Sequence, residues 1–180
     1  MDHSIVIVGV PLPSNDPVFL ALVGVHIACG IACVVAGAVA MLSRKGPGRH
    51  PGAGILYYRF LAVVFLTTTS IAAMRWEEDA HLFALGVLSF SSASLGRWAQ
   101  RKRRQGSLGV HIAAMGVSYI ALLTAFYVDN GRNLPLWQEL PQLAFWLLPA
   151  AIGIPIIVRA LIAHPLMHRG DPHDSRPVEQ

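Results

Sequence analysis

Residues Val18 to Met41 read VFLALVGVHIACGIACVVAGAVAM, twenty-four residues without a formal charge. As a helix rising about 1.5 Å per residue, this run is long enough to cross the roughly 30 Å hydrocarbon core of a bilayer. A chain that carries it must bury it in a large core or place it in lipid. Composition decides for lipid. Of 180 residues, 54% are hydrophobic and only 13% are charged, where a soluble domain carries about 25% charged residues. Further long apolar runs follow, so the sequence predicts an all-α integral membrane bundle. The pI of about 9.5 does not point to nucleic acid, because the basic residues lie between the apolar runs and read as topology signals.

Five spanning helices are predicted, at about 17–42, 52–74, 80–98, 108–128 and 142–163. Pro17 suits a first helical turn, and Pro149 and Pro155 predict a kink in the fifth helix. The lead-in 1–16 is acidic and punctuated by Pro11 and Pro13. Its apolar stretch is too short for a cleavable signal peptide, so it is expected to be irregular or to lie at the interface. Residues 164–180 read as a polar tail. No internal sequence repeat is apparent.

Charge sets the expected orientation. With the N-terminus outside and the C-terminus in the cytoplasm, twelve of the fourteen basic residues fall on the cytoplasmic side. Only Arg75 and Arg132 stay outside, with seven of the ten acids (Asp2, Asp16, Glu77, Glu78, Asp79, Asp129, Glu139). Lys and Arg bias governs topology, so five helices, N-out and C-in, is the expectation. The RKRR run (Arg101 to Arg104) reads as a topogenic patch ahead of a lipid-surface site.

Four histidines lie in or beside the first four helices, one each: His26, His50, His81 and His111. An ionisable group inside a span is costly and marks a candidate site. Alternating helices put His26 and His81 towards the outer face and His50 and His111 towards the inner face. Facing histidines in a helical bundle are one way to hold haem iron, so these four are the candidate axial ligands of a b-type haem. On these bounds His26 and His81 differ in depth by about 8–10 Å, while His50 and His111 match better. A third helix beginning at Trp76 would shrink the outer mismatch.

The plainer reading makes each histidine a packing or interfacial residue. His26, Cys29, Gly30, Cys33 and Gly37 share a stripe on helix one, as do His111, Ala114, Met115 and Ser118 on helix four. Cys29 and Cys33 beside His26 suit soft-metal ligation less well than a small-residue packing face. His164 and His168 flank Pro165 beyond the last helix. No carboxylate falls within a predicted span to relay protons with His26, and no nucleotide loop or thiol redox motif is present.

The basic turn ending Arg49-His50, then Gly54 and Tyr57, with HIAAMGVSYIALLTAFYVDNG and LPLWQELP later, resembles a family of bacterial multi-pass membrane proteins, domain of unknown function 2306. That resemblance implies a helical bundle in a bacterial inner membrane and no assigned activity. The layout of His26 with His81 and His50 with His111 is similar to transmembrane cytochromes b, which implies haem and electron movement across the bilayer. The competing expectation is a non-enzymatic membrane module: a partner subunit, sensor or small permease. The bilayer is the expected partner, with a second membrane protein or a second copy of the chain also open. No reaction, and hence no enzyme class, is assigned.

Overall fold

A computed structural model describes residues 5–7, 10–12, 16–44, 48–102, 106–135 and 137–163. The chain forms five helices: α1 (Pro17–Leu42), α2 (Arg49–Met74), α3 (Trp76–Lys102), α4 (Ser107–Asn130) and α5 (Gln142–Ile162). A single 3-10 turn, Gly131–Asn133, follows α4. Apart from a short ladder ahead of α1, the described residues are helical or connecting. In that ladder β1 (Ile5–Ile7) pairs antiparallel with β2 (Val10–Leu12). Pro11 is accommodated there because a two-stranded ladder consists only of edges. The tail from residue 164, with His164 and His168, lies outside the described residues.

The helix ends show where charge was misread. α1 begins where Asp16 accepts a 2.9 Å bond from Val18 N ahead of Pro17. α2 starts at Arg49, before Pro51, because proline is tolerated in a first turn whose N–H groups have no helical acceptor. α3 extends past its predicted bounds at both ends. Glu77, Glu78 and Asp79 occupy its first turn and Arg101 and Lys102 its last. Those charges resemble loop residues in sequence, yet each sign sits at the helix end where the macrodipole favours it. Gly48 (φ 119°) and Gly106 (φ 80°) turn the chain into α2 and α4 in conformations that side chains resist.

Each helix packs antiparallel on the next. His26 meets Thr67, Cys33 meets Tyr57 and Ala40 meets His50 along α1 and α2. Ser89 meets Ser118 and Gly96 meets His111 along α3 and α4. Tyr58 and Phe65 of α2 pack on Phe90 of α3, with ring centroids at 5.5 and 5.0 Å. α5 covers the outside of α4 through reciprocal glycine holes. A Cβ on Gly116 would lie 2.4 Å from Ile157, and one on Gly153 2.4 Å from Ile120. α1 and α4 barely touch. One tyrosine crosses that seam: Tyr119 donates to Val34 O at 3.0 Å.

Four helices, α1, α2, α4 with its 3-10 extension, and α5, are long and apolar enough to span a membrane. α3 is not among them, because charged residues occupy both of its ends. Much of the large apolar surface of α1 and α5 stays exposed, including Ile31, Val35, Leu147 and Ile156. In water such faces would be a liability; lipid covers them. One end of the bundle carries Asp16, Glu77, Glu78, Asp79 and Asp129, and is called the acidic end. The opposite, basic end carries Arg44, Arg49, Arg101, Lys102 and Arg159.

Candidate functional site

The centre of the bundle is a polar layer contributed by four helices. Tyr57 of α2 hydrogen-bonds Ser118 of α4 at 2.7 Å, and Ser89 of α3 donates to Ser118 O at 2.8 Å. Cys33 of α1 donates to Tyr57 O at 3.5 Å. All four residues are buried, and Cys33 and Ser118 are fully inaccessible. With no water to compete, each hydroxyl must find a protein partner, and each does. Tyr119 packs beside the layer, its ring centroid 6.1 Å from that of Tyr57, and fills the space left by Gly37.

The histidines are arranged about this layer. His26 precedes Cys33, His50 precedes Tyr57 and His111 precedes Ser118 by seven residues each. Seven residues are two helical turns, about 10 Å, and return to nearly the same face. His50 and His111 therefore share one level at the basic end, on the faces of α2 and α4 that meet through Tyr57 and Ser118. Their attachments match. His50 Nδ1 lies 2.8 Å from Ala40 O of α1, and His111 Nδ1 lies 2.9 Å from Gly96 O of α3. A carbonyl only accepts, so each Nδ1 is the donating nitrogen.

The acidic end differs. Thr67 Oγ1 donates to Val64 O at 2.9 Å and to Val63 O at 3.0 Å, which engages its single hydrogen. Thr67 Oγ1 also lies 2.9 Å from His26 Nδ1, so this histidine is held by a side chain where His50 and His111 are held by main chain. His81 precedes Ser89 by eight residues. In depth it stands within about 2 Å of His26, because α3 begins a turn early, and the expected depth mismatch disappears. The extra residue turns it about 80° off the core-facing stripe. It is exposed, with its ring 6.0 Å from that of Trp146 on α5. The structure thus brings the basic-end histidines to one layer and places His26 and His81 on different faces.

Among the described residues, no group of three or more His, Cys, Asp or Glu side chains is placed to hold a metal ion. Cys33 is committed to the Tyr57 carbonyl, which makes it a packing residue. Sequence reasoning missed two features. The hub of Tyr57, Ser89 and Ser118 was signalled only by the seven-residue spacing of Tyr57 from His50 and of Ser118 from His111. Asp129 was placed outside helix four, yet α4 runs on to Asn130, so a carboxylate does lie within a span. Asp129 follows Ser118 by eleven residues, on the same stripe as Ser118 and His111.

No protein-family model matches the chain, and neither a curated protein nor a solved structure does.

Proposed function

We propose that the chain is an integral membrane protein that binds a b-type haem between His50 and His111 at its basic end and moves electrons. The observation that supports this reading is the matched pair. Two imidazoles stand at one level on diagonal helices, each with Nδ1–H tied to a main-chain carbonyl of the neighbouring helix. A donor on the second nitrogen of a ligating histidine fixes its tautomer and ring orientation and raises its basicity. The small residues Ala53 and Gly54 follow His50 on its face, and a Cβ on Gly54 would meet nothing within 4 Å. A haem so held would supply a one-electron carrier. The protein residues would hold the axial nitrogens level and exclude water with the Tyr57–Ser118 layer beneath them.

All five helices cross the bilayer in this reading. α2 and α4 start at the same end, so α3 must return the chain between them despite its charged ends. The basic end faces the cytoplasm of a bacterial inner membrane by the Lys and Arg rule.

A second reading rests on the same bonds. Each Nδ1–carbonyl contact is also a tie between neighbouring helices, so His50 and His111 would serve packing alone in a non-enzymatic membrane module. Absorbance separates the two. Protein purified in mild detergent from haem-replete cells is expected to show a Soret band and a sharp reduced α-band after dithionite. Both should be lost in His50→Ala and in His111→Ala and retained in His81→Ala. A colourless wild type overturns the haem reading and leaves the packing role.

A further inference from the structure

We propose that the seam between α2 and α3 at the basic end seats one anionic phospholipid, with its phosphate on the Arg97 guanidinium and an acyl chain along the rings of Phe90 and Phe65. The proposal uses neither His50 nor His111 and stands whether or not haem is bound.

The charge comes first. Arg97 is half-buried, its guanidinium carbon 4.6 Å from the centroid of the Tyr58 ring. Among the described residues it has no ion pair and no hydrogen bond. The acids of those residues, Asp16, Glu77, Glu78, Asp79, Asp129 and Glu139, all belong to the acidic end. The ring attracts the cation but leaves its charge uncompensated. A guanidinium held in a lipid-facing seam therefore calls for an anion from outside the bundle. A phosphate suits its planar fork of donors. Trp98 beside it is exposed and is the residue type that sits at headgroup level.

The seat is also fixed in depth. α3 runs towards the basic end, so its side chains lean back towards the bilayer centre. Arg97 follows that lean instead of reaching for water. The ring it covers is hydrogen-bonded through its hydroxyl to Ser94, three residues earlier on α3, at 3.2 Å. That ring is stacked on Phe90 as well, at 5.5 Å and 22°. Such a preset arginine loses little rotamer freedom when an anion binds.

Below the arginine lies a wall of rings. Phe83, Phe90 and Arg97 recur every seven residues on α3, and Tyr58 and Phe65 stand seven apart on α2. That spacing returns each to nearly the same face of its helix. Phe90 and Phe65 stack at 5.0 Å and 4°, and Phe65 and Phe83 follow at 6.4 Å. All four rings are only half-buried. From Arg97 to Phe83 the wall descends about 21 Å, more than half of a hydrocarbon core of roughly 30 Å. It therefore accompanies the chains of a whole leaflet, which a free phosphate would not use.

The test is native mass spectrometry of the full chain released from a neutral detergent. It is titrated with phosphatidylglycerol, with phosphatidylcholine of the same acyl chains, and with inorganic phosphate. One phosphatidylglycerol is expected to bind ahead of any phosphatidylcholine. Arg97→Gln should weaken that binding by about twentyfold. Arg159→Gln, which removes the same charge from the exposed basic end of α5, should weaken it by about threefold or less. Arg97→Lys keeps the charge but loses the fork, so its effect should fall between the two. Equal losses in Arg97→Gln and Arg159→Gln overturn the proposal, because they report general attraction to a basic surface. Equal retention of the two lipids by wild type overturns it too, as a seat already neutralised from within the chain would show. Inorganic phosphate that displaces phosphatidylglycerol at matched concentration overturns the lipid assignment. Should Arg97→Gln lose its helicity by circular dichroism, Arg97→Lys decides: phosphatidylglycerol bound at the wild-type affinity overturns the proposal.

Discussion

The two ends of the bundle hold histidines in different ways. At the basic end, His50 and His111 donate to main-chain carbonyls of the preceding helices, and the α1–α2 tie recurs as the α3–α4 tie. At the acidic end, His26 depends on a threonine side chain, and His81 has turned out towards Trp146 of α5. Space follows the same division. Around Gly37 the seam between α1 and α4 is filled by Tyr119 and Tyr57, and around Gly30 it is open. At the basic end the histidines are positioned by backbone; at the acidic end His26 is positioned by one side chain, near Asp79 and Asp129. One five-helix frame thus holds its histidines by main chain at one end and by a side chain at the other.

Substitutions can break or sharpen this contrast. The largest effect is expected at Gly37. A Cβ there would sit 2.4 Å from the Tyr119 ring and 3.1 Å from that of the buried Tyr57. Gly37→Val should destabilise the bundle by about 3 kcal/mol, read from denaturation in mixed micelles. Next is Ser118→Val, which strands the Tyr57 hydroxyl and removes a contact of Ser89. It should cost about 2 kcal/mol, and it should disturb both ends because the hub lies between them.

Smaller effects are expected at the acidic end. Thr67→Val removes the hydroxyl that holds His26 and should cost about 1 kcal/mol. Its more telling readout is NMR: the His26 ring signals shift while those of His50 and His111 stay fixed. Gly30→Ala should change stability by less than about 0.5 kcal/mol in either direction, since the methyl enters open space. A Gly30→Ala penalty as large as that at Gly37 would erase the distinction between the halves.

Much of the frame was legible in the residues. Long uncharged runs and the clustering of Lys and Arg between them gave helices, connections and the two charged ends. Helix ends were read less well, because Pro51, the first-turn acids of α3 and its terminal Arg101 and Lys102 mark helix termini as readily as loops. The histidines were visible as one per helix. Their rotation was not visible. Eight residues rather than seven separate His81 from Ser89, and the consequence emerges only once Ser89 is seen to face Ser118. Asp129 escaped for a related reason: a charge near a predicted boundary reads as loop until the helix is seen to continue through it.

What the sequence determined by itself is the class of solvent and the number of helices, because burying apolar backbone and side chain in lipid depends on length, composition and charge counted along one chain. The tertiary structure decided which groups each histidine meets and which glycines are filled. Those depend on the register between helices. Register is set by contacts such as Tyr57 with Ser118 and Tyr119 with Val34, between residues that lie 61 and 85 positions apart in the chain.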